Sequence, residues 1–210
     1  MGLRHWYEET ILPKMIGFAC ADPKITALRE RIVPLAEGRV FEIGCGGGLN
    51  QPLYRRDRVT AFAGIDPNGA LLGKAQAAAQ AKGWEADIRA GKGEAIPFDD
   101  ASFDSVVCTY TLCSVDDHAR VLGELRRILR PGGRLLFLEH GKSPDPGPAK
   151  WQRRIEPVWK NVMGNCHLTR PVAEAVGQAG FALHRIEHKY LEEMPKWAAY
   201  MEWGIGQKAG

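Results

Sequence analysis

The middle of the chain alternates short apolar runs with segments whose apolar residues recur at helical spacing. Five runs predict strands. The first is RVFEI at residue 39, and the fourth, the largely apolar FDSVVCTYTL, is expected to be buried on both faces. Between them lie two good helices. GALLGKAQAAAQAKG is closed by Gly83, and DDHARVLGELRRILRPGG begins with Asp and stops at Pro-Gly-Gly. Strands alternating with helices at this spacing predict a parallel sheet with helices on both faces.

The two ends of the chain carry different patterns. Residues 1–36 have apolar residues at helical spacing, interrupted at Pro13 and Pro23, and predict helices that cover the core or close over a pocket. After the fifth strand we expect a Pro/Gly loop, GKSPDPGPAK, a helix broken near Pro157, and a short helix with Thr169 as its N-cap. Two final strands follow, FALHRIEHKYL and WAAYMEWGIGQK, with the last as the edge partner of a hairpin.

Size and composition describe an ordinary globular domain. The chain has 210 residues, 45% of them apolar and 25% charged, with a net charge of +3 that is too small to argue for nucleic acid. We find no apolar run of membrane-spanning length and no signal peptide, so the expected location is the cytoplasm. Residues 140–170 hold six Lys/Arg against two Asp/Glu, a surplus that fits either a solvated face or peripheral contact with an anionic membrane.

The five cysteines are odd in number and form no CxxC pair. This pattern argues against a disulfide framework and against a zinc site, so the sequence predicts no metal. Most of the cysteines are expected to be small buried side chains. Cys113 and Cys166 have a second interpretation, as part of the lining of a substrate pocket.

The stretch VFEIGCGGGL at residues 40–49 carries the main chemical signal. A dinucleotide fingerprint fails in both registers, because its sixth position is Leu49 or Gln51, and a P-loop fails for lack of Gly-Lys-Ser/Thr. What stands there is E-x-G-x-G-x-G, with Glu42 at the strand end, and Asp66 ends the next strand. Two carboxylates suit an adenosine that bears an ammonium and no phosphates, which describes S-adenosylmethionine.

From about residue 39 to 140 the chain resembles the class I S-adenosylmethionine-dependent methyltransferases. The resemblance rests on four motifs in order: VFEIGCGGG, GIDPN, GKGEAIPFDDASFDSVVCTYTL and LRRILRPGGRLLFLEH. It implies an α/β, Rossmann-like fold with a mostly parallel seven-stranded sheet, helices on both faces and an antiparallel C-terminal strand. It also implies one domain over 1–210, divided into a helical lid at 1–36, a cofactor-binding core at 37–140, a substrate-side insertion at 141–170 and a C-terminal helix with strands at 171–210.

The resemblance assigns the cofactor contacts residue by residue. Glu42 and the glycine turn would hold the methionine part, Asp66 the ribose, Gly93 and Glu94 the adenine edge, and Thr109 with Tyr110 the methionine end. Lys92 departs from the pattern, since many relatives have Asp there. The implied set is Glu42, Gly44, Cys45, Gly46, Gly48, Asn50, Asp66, Pro67, Gly93, Glu94, Thr109 and Tyr110.

The segment WQRRIEPVWKNVMGNCHLTR, with N-C-x-L-T-R as its more specific part, resembles the alkyl thiol methyltransferases of animals and their bacterial relatives. That resemblance implies a small hydrophobic acceptor, a thiol first and a quinol or phospholipid amine next. A non-catalytic protein that binds S-adenosylmethionine is the rival of a different class. His140 and His167 are the candidate bases for deprotonating a thiol, and a structural hydrogen-bonding role is the alternative for each.

Overall fold

Seven strands form one sheet in the order β3-β2-β1-β4-β5-β7-β6 in the computed structural model, which describes residues 7–210. The first five strands are parallel, and β7 runs antiparallel to both β5 and β6. The mostly parallel seven-stranded sheet is therefore confirmed. The strands are β1 Gly38–Ile43, β2 Val59–Asp66, β3 Ala86–Ala90, β4 Phe103–Thr109, β5 Leu129–His140, β6 Phe181–Tyr190 and β7 Tyr200–Lys208.

Helices cover both faces of this sheet, as predicted. Neighbouring residues of β1 point to opposite faces of the sheet. Val40 packs in one apolar cluster with the helices Pro23–Ile32 and Gly69–Ala81, and Phe41 packs in a second cluster with the helices His118–Ile128 and Val172–Gln178. Among residues 7–210, no helix is both long enough and apolar enough to cross a bilayer. The helices are α1 Leu12–Cys20, α2 Pro23–Ile32, α3 Gly69–Ala81, α4 His118–Ile128, α5 Pro146–Val162, α6 Val172–Gln178 and α7 Lys196–Ala199, preceded by a π-helical turn at Tyr7–Ile11.

The last strand does not lie at the edge of the sheet, and that prediction was wrong. β7 lies between β5 and β6, and its Met201 and Trp203 are buried. The edge strand is β6, in which seven of ten residues are exposed. Its charged residues Arg185, Glu187 and Lys189 suit an edge, where charges discourage pairing with another chain. The start of the predicted terminal strand is helical, at Lys196–Ala199.

The substrate-side segment is also more helical than predicted. The expected loop GKSPDPGPAK gives way at Pro146 to α5, because proline is well tolerated in the first turn of a helix. Pro157 lies inside α5 without breaking it. Pro157 and Arg153, whose carbonyl loses its partner, are both exposed, so water can replace the missing bond.

The N-terminal segment forms helices between residues 7 and 35, as predicted, and residues 1–6 lie outside the described part of the chain. The helices are interrupted at residues 21–22, ahead of Pro23, whereas Pro13 lies in the first turn of α1 without interrupting it. Asp22 caps α2 by accepting a hydrogen bond from the Lys24 backbone N–H at 2.7 Å. Ile25, Leu28 and Ile32 of α2 pack into the first apolar cluster. This anchors α2 over the carboxyl ends of the central strands.

Candidate functional site

The glycine turn follows β1 directly and needs its glycines. Gly44, Gly46 and Gly48 have φ values of 64°, 50° and 81°, in the left-handed region. A side chain at Gly44 would also lie 2.2 Å from the Thr111 hydroxyl. At Gly46 a Cβ would meet nothing closer than 3.9 Å. The turn therefore offers bare backbone with space beside it, while Cys45 is buried and packs under the turn.

No α-helix follows this turn directly. Only a 3₁₀ turn forms, at Gln51–Leu53, and the chain becomes extended at Tyr54. The reason is tertiary: the Tyr54 side chain is buried and its hydroxyl donates to Glu42 at 2.8 Å. A continued helix would carry Tyr54 away from that partner.

Glu42 is a buried carboxylate with two donors. Its Oε1 accepts from the Asn50 amide at 2.9 Å and its Oε2 from Tyr54. Burial raises the pKa of Glu42 to about 7, against the opposing effects of the Tyr54 hydrogen bond and the Arg29 charge. Near neutral pH this carboxyl is thus balanced between its two protonation states.

Arg29 was not predicted and lies at the centre of the site. Its guanidinium is buried and donates through Nη1 to Asn50 Oδ1 at 2.6 Å and to Thr109 Oγ1 at 2.8 Å. Asn50 also donates to Thr109 at 3.0 Å, so one network joins Glu42 to Arg29. The Arg29 Nε is buried without a hydrogen-bond partner. Buried polar atoms are normally paired, so this N–H marks a place for a ligand acceptor.

A signal for Arg29 was present in the sequence. It stands one residue after Leu28 and between Ile25 and Ile32, on the stripe by which α2 faces the core. Arginine is almost never fully buried unless it is paired. An arginine on the core-facing stripe of a helix therefore indicates a buried partner or ligand.

Asp66 ends β2 and fixes the glycine turn. Its Oδ2 accepts from the Gly46 N–H and its Oδ1 from the Asn68 N–H, both at 2.8 Å. Burial raises the pKa of Asp66, and these two backbone bonds oppose that effect. Each carboxylate oxygen has a second lone pair for a ligand hydroxyl. Pro67, the next residue, is exposed beside it.

The predicted adenine side shows one residue in a different role. Gly93 is tightly packed, since a Cβ there would lie 2.6 Å from an Ile43 methyl carbon. Glu94 is bound to protein backbone: its Oε1 accepts from the N–H groups of Asp116 and Asp117 at 3.1 and 3.3 Å. Glu94 therefore holds the loop before α4. Lys92 is exposed and its ammonium lies 3.8 Å from Asp116.

The end of β4 is shaped by Glu139, which the sequence analysis also missed. This buried carboxylate accepts backbone N–H bonds from Thr111, Leu112 and Cys113 at 2.9 to 3.1 Å. The loop it holds follows Tyr110, a non-glycine residue with a φ of 55°. Such a conformation costs energy and persists only when its surroundings enforce it. Arg29 lies 5.1 Å above the Tyr110 ring and links the loop to the network around Thr109.

Cys113, His140 and Cys166 meet beside Tyr110. The Cys166 Sγ lies 3.7 Å from the Cys113 Sγ and 3.6 Å from the His140 Nδ1, and the His140 ring lies 5.4 Å from the Tyr110 ring. The Cys113 hydrogen bond and the His140 ring hold the pKa of Cys166 well below its usual value, while the same hydrogen bond and burial raise that of Cys113. Burial works to lower the pKa of His140, but the Cys166 sulfur raises it overall.

The His167 side chain does not contact the group formed by Cys113, His140 and Cys166 in the hydrogen bonds of the structure. Its Nδ1 lies 3.3 Å from Glu156 Oε1, and its backbone N–H donates to the Cys113 carbonyl at 2.7 Å. Thr169 does not cap the next helix, contrary to prediction. Its backbone N–H donates to Glu156 at 2.7 Å, and α6 begins at Val172 without a side-chain cap.

These features fit S-adenosylmethionine. The ligand carries an ammonium and a carboxylate at one end and two ribose hydroxyls further along. Glu42 and Arg29 place opposite charges beside the bare glycine turn, and the unpartnered Arg29 Nε is a donor for the carboxylate. Asp66 retains acceptor capacity for the hydroxyls.

Known proteins are similar to this chain in sequence and in fold. A methyltransferase domain model matches residues 41–137. Thiol S-methyltransferase TMT1B of Rattus norvegicus is 38% identical over 72% of this chain and 63% of its own length. Thiol S-methyltransferase TMT1A of Homo sapiens is 34% identical over 77% and 67%. Among solved structures, YcgJ of Bacillus subtilis superposes with a TM-score of 0.67 at 18% identity, covering 89% of this chain and 98% of its own.

The matched region spans about two thirds of the length of these curated relatives. Both relatives are methyltransferases by name, and the family model matches from β1 to β5, where the glycine turn, Asp66 and the end of β4 lie. The chain belongs to the class I S-adenosylmethionine-dependent methyltransferases.

Proposed function

We propose that this protein transfers a methyl group from S-adenosylmethionine to a small apolar thiol. The observation that carries the cofactor part is the buried pair Glu42 and Arg29, joined through Asn50 next to the glycine turn. Two opposite charges buried in one network complement the zwitterionic end of the cofactor. A dinucleotide offers no such end, so the pair favours S-adenosylmethionine over NAD.

The thiol part is supported by the relatives and by the chemistry of the acceptor side. Proteins of 34 to 38% identity are named thiol S-methyltransferases. In the proposed step the acceptor sulfur attacks the methyl carbon, and the electron pair of the breaking C–S bond stays on the donor sulfur. A thioether and S-adenosylhomocysteine result, and the thiol proton leaves. An ordinary thiol has a pKa of about 8.5, so a small lowering of that pKa is enough to ionise it near neutral pH.

Closure of the pocket supports the same step. A thiolate in bulk water is well solvated, and the protein gains by removing water from the reacting pair. The helix α2 reaches over the strand ends through Arg29, which bonds to Thr109 and lies over Tyr110. The donor end and the acceptor side are therefore covered by one helix.

A turnover assay decides the function. Release of S-adenosylhomocysteine would be measured across alkyl thiols, aryl thiols, quinols, amino lipids and small amines. Highest turnover is expected with apolar thiols, and Asp66→Ala, which weakens cofactor binding, is the matched negative control. Turnover only with a quinol or an amino lipid would replace the acceptor assignment. Tight binding of S-adenosylhomocysteine with no product from any acceptor would favour the non-catalytic rival.

Peripheral contact with an anionic membrane is proposed for the outer face of α5. Trp151 and Val158 are 54% and 68% exposed, and Phe18 of α1 is 86% exposed. Arg153 and Arg154 of the same helix are exposed beside them. The protein should co-sediment with vesicles that contain anionic lipid, and Trp151→Glu should reduce the co-sedimented fraction several-fold. Equal sedimentation with neutral vesicles, or no effect of the substitution, would contradict this contact.

A further inference from the structure

We propose that Cys113, Cys166 and His140 form a three-ligand binding site for a zinc ion. The three residues come from separate segments: the loop after β4, the end of β5 and the loop after α5. Their ligand atoms all lie within 4.8 Å of one another. Both sulfurs are buried, at 1% and 6% exposure. Thiolate and imidazole are the donors that Zn²⁺ prefers.

Two of the three edges already match tetrahedral zinc. With Zn–S near 2.3 Å and Zn–N near 2.0–2.1 Å, a tetrahedral site separates two sulfurs by about 3.8 Å and a sulfur and a nitrogen by about 3.6 Å. The observed separations are 3.7 Å between the Cys166 and Cys113 sulfurs and 3.6 Å between Cys166 Sγ and His140 Nδ1. The remaining edge, from Cys113 to His140, would shorten on binding.

The surroundings hold the ligands in place. The Cys113 backbone is fixed on both sides, because its N–H donates to Glu139 at 3.1 Å and its carbonyl accepts from the His167 N–H at 2.7 Å. Outer contacts of this kind orient metal ligands. The indole Nε1 of Trp159 is also buried without a hydrogen-bond partner.

Charge also favours a cation. Two thiolates and a neutral imidazole around Zn²⁺ sum to zero, which suits a buried site better than a free thiolate does. A dithiol that forms a disulfide would use Cys113 and Cys166 only. It would leave the directed approach of His140 Nδ1 to sulfur without a function.

The position of the site deepens the proposed function, and this step rests on that function. Three protein ligands leave a fourth position open, as in catalytic zinc sites. A thiol acceptor bound there would lose its proton to solvent and coordinate as a thiolate. Its sulfur would then attack the cofactor methyl carbon, and the electron pair of the breaking C–S bond would go to the donor sulfur. The thioether formed would leave the zinc, which neither gains nor loses electrons.

The test measures zinc directly. Full-length protein, stripped with a chelator and kept reduced with a phosphine, would be titrated with zinc against a chromophoric chelator. One equivalent should bind. Cys166→Ser and Cys113→Ser should each weaken binding more than about 100-fold, since even outer-shell substitutions cost about 10–100-fold. Cys20→Ala, which removes a free cysteine outside the site, should bind zinc like the wild type. Cobalt in place of zinc should show a thiolate charge-transfer band that Cys166→Ser reduces.

Folding is controlled separately. S-adenosylhomocysteine binding by calorimetry reports an intact core, and Cys166→Ser is the safer variant because Cys113 lies in the loop held by Glu139. No stoichiometric zinc, or equal affinity in Cys166→Ser and wild type, would overturn the site. A Cys113–Cys166 disulfide in air with no zinc binding by the reduced protein would also overturn it. If thiols are methylated but the protein binds no zinc, the zinc site is wrong and the proposed function stands. If zinc binds but no acceptor is methylated, the zinc site stands and the proposed function is wrong.

Discussion

Cofactor binding should become tighter as the pH rises from 6 to 8, because Glu42 must be ionised to complement the ammonium of the ligand. Burial raises the pKa of Glu42 to about 7 in the free protein. At pH 6 about a tenth of the molecules carry the ionised form, and at pH 8 about nine tenths do. If only the ionised form accepts the ammonium, the Kd of S-adenosylhomocysteine falls about tenfold between these pH values, or about 1.4 kcal/mol.

Isothermal calorimetry at pH 6, 7 and 8 measures this Kd directly. Repeating the pH 7 titration in two buffers of different ionisation enthalpy should show release of part of a proton per ligand bound. Glu42→Gln is the matched control, because its amide keeps the shape: its oxygen can accept from the Asn50 amide, and its NH2 group can donate to the Tyr54 hydroxyl oxygen. This variant should bind weakly and with little pH dependence. An unchanged Kd between pH 6 and 8, or the same pH slope in Glu42→Gln, would refute the reasoning.

The same group makes a prediction about stability. The folded-state pKa of Glu42 lies above its unfolded value of about 4.5. Its protonated form therefore favours folding below pH 4.5, and that contribution is lost as the pH rises through 7. Raising the pKa of Glu42 from about 4.5 to about 7 corresponds to about 3 kcal/mol. In the absence of ligand, Glu42→Gln should be more stable than the wild type at pH 8, by urea denaturation, and the difference should vanish near pH 4. If Glu42→Gln and the wild type were equally stable at pH 8 as well as at pH 4, the raised pKa of the buried carboxyl would be contradicted.

Three further substitutions test the rest of the site. Asp66→Ala should weaken S-adenosylhomocysteine binding by about 1–3 kcal/mol in calorimetry, the range for hydrogen-bonding groups left unpaired. Arg29→Met should weaken it at least about tenfold by removing the donor for the carboxylate, whereas Arg31→Met, on the same helix but 62% exposed in its side chain, should not. His140→Asn should lower thiol turnover by about 10²-fold and His167→Asn by less than about threefold, since only His140 lies against the Cys166 sulfur beside Tyr110; equal losses would contradict this assignment.

Local pattern was enough to predict most of the fold. The alternation of apolar strands with capped helices from residue 39 to 140 yields the parallel part of the sheet, because each segment satisfies its own propensity. The errors lie where tertiary contacts decide. The position of β7 inside the sheet depends on pairing with β5 and β6, and Pro157 stays helical because its face is exposed. Neither effect is visible in a window of ten residues.

The site divides in the same way. Glu42, the glycine turn and Asp66 could be predicted because they occupy fixed offsets from two strand ends. The stripe position of Arg29 indicates that it is buried, but not that its partners are Asn50 and Thr109. Glu139 could not be predicted, since its partners are backbone N–H groups after Tyr110. The zinc ligands proposed above are 27 and 26 residues apart, at positions 113, 140 and 166, so spacing rules for short zinc motifs do not detect them.

The proposed reaction offers a physical reason for the arrangement around Arg29. Attack of a thiolate on a sulfonium would bring together opposite charges that both vanish in the products, so water that solvates either charge would slow the reaction. Excluding water normally costs the burial of polar groups, and here these groups pair with one another: Glu42 with Asn50 and Tyr54, Asn50 and Thr109 with Arg29. The buried Nε–H of Arg29 has no partner in this network, and it is the donor that the carboxylate of a bound cofactor could take. Binding of the methyl donor would thereby satisfy a buried polar group on α2 as well as those on the strand ends.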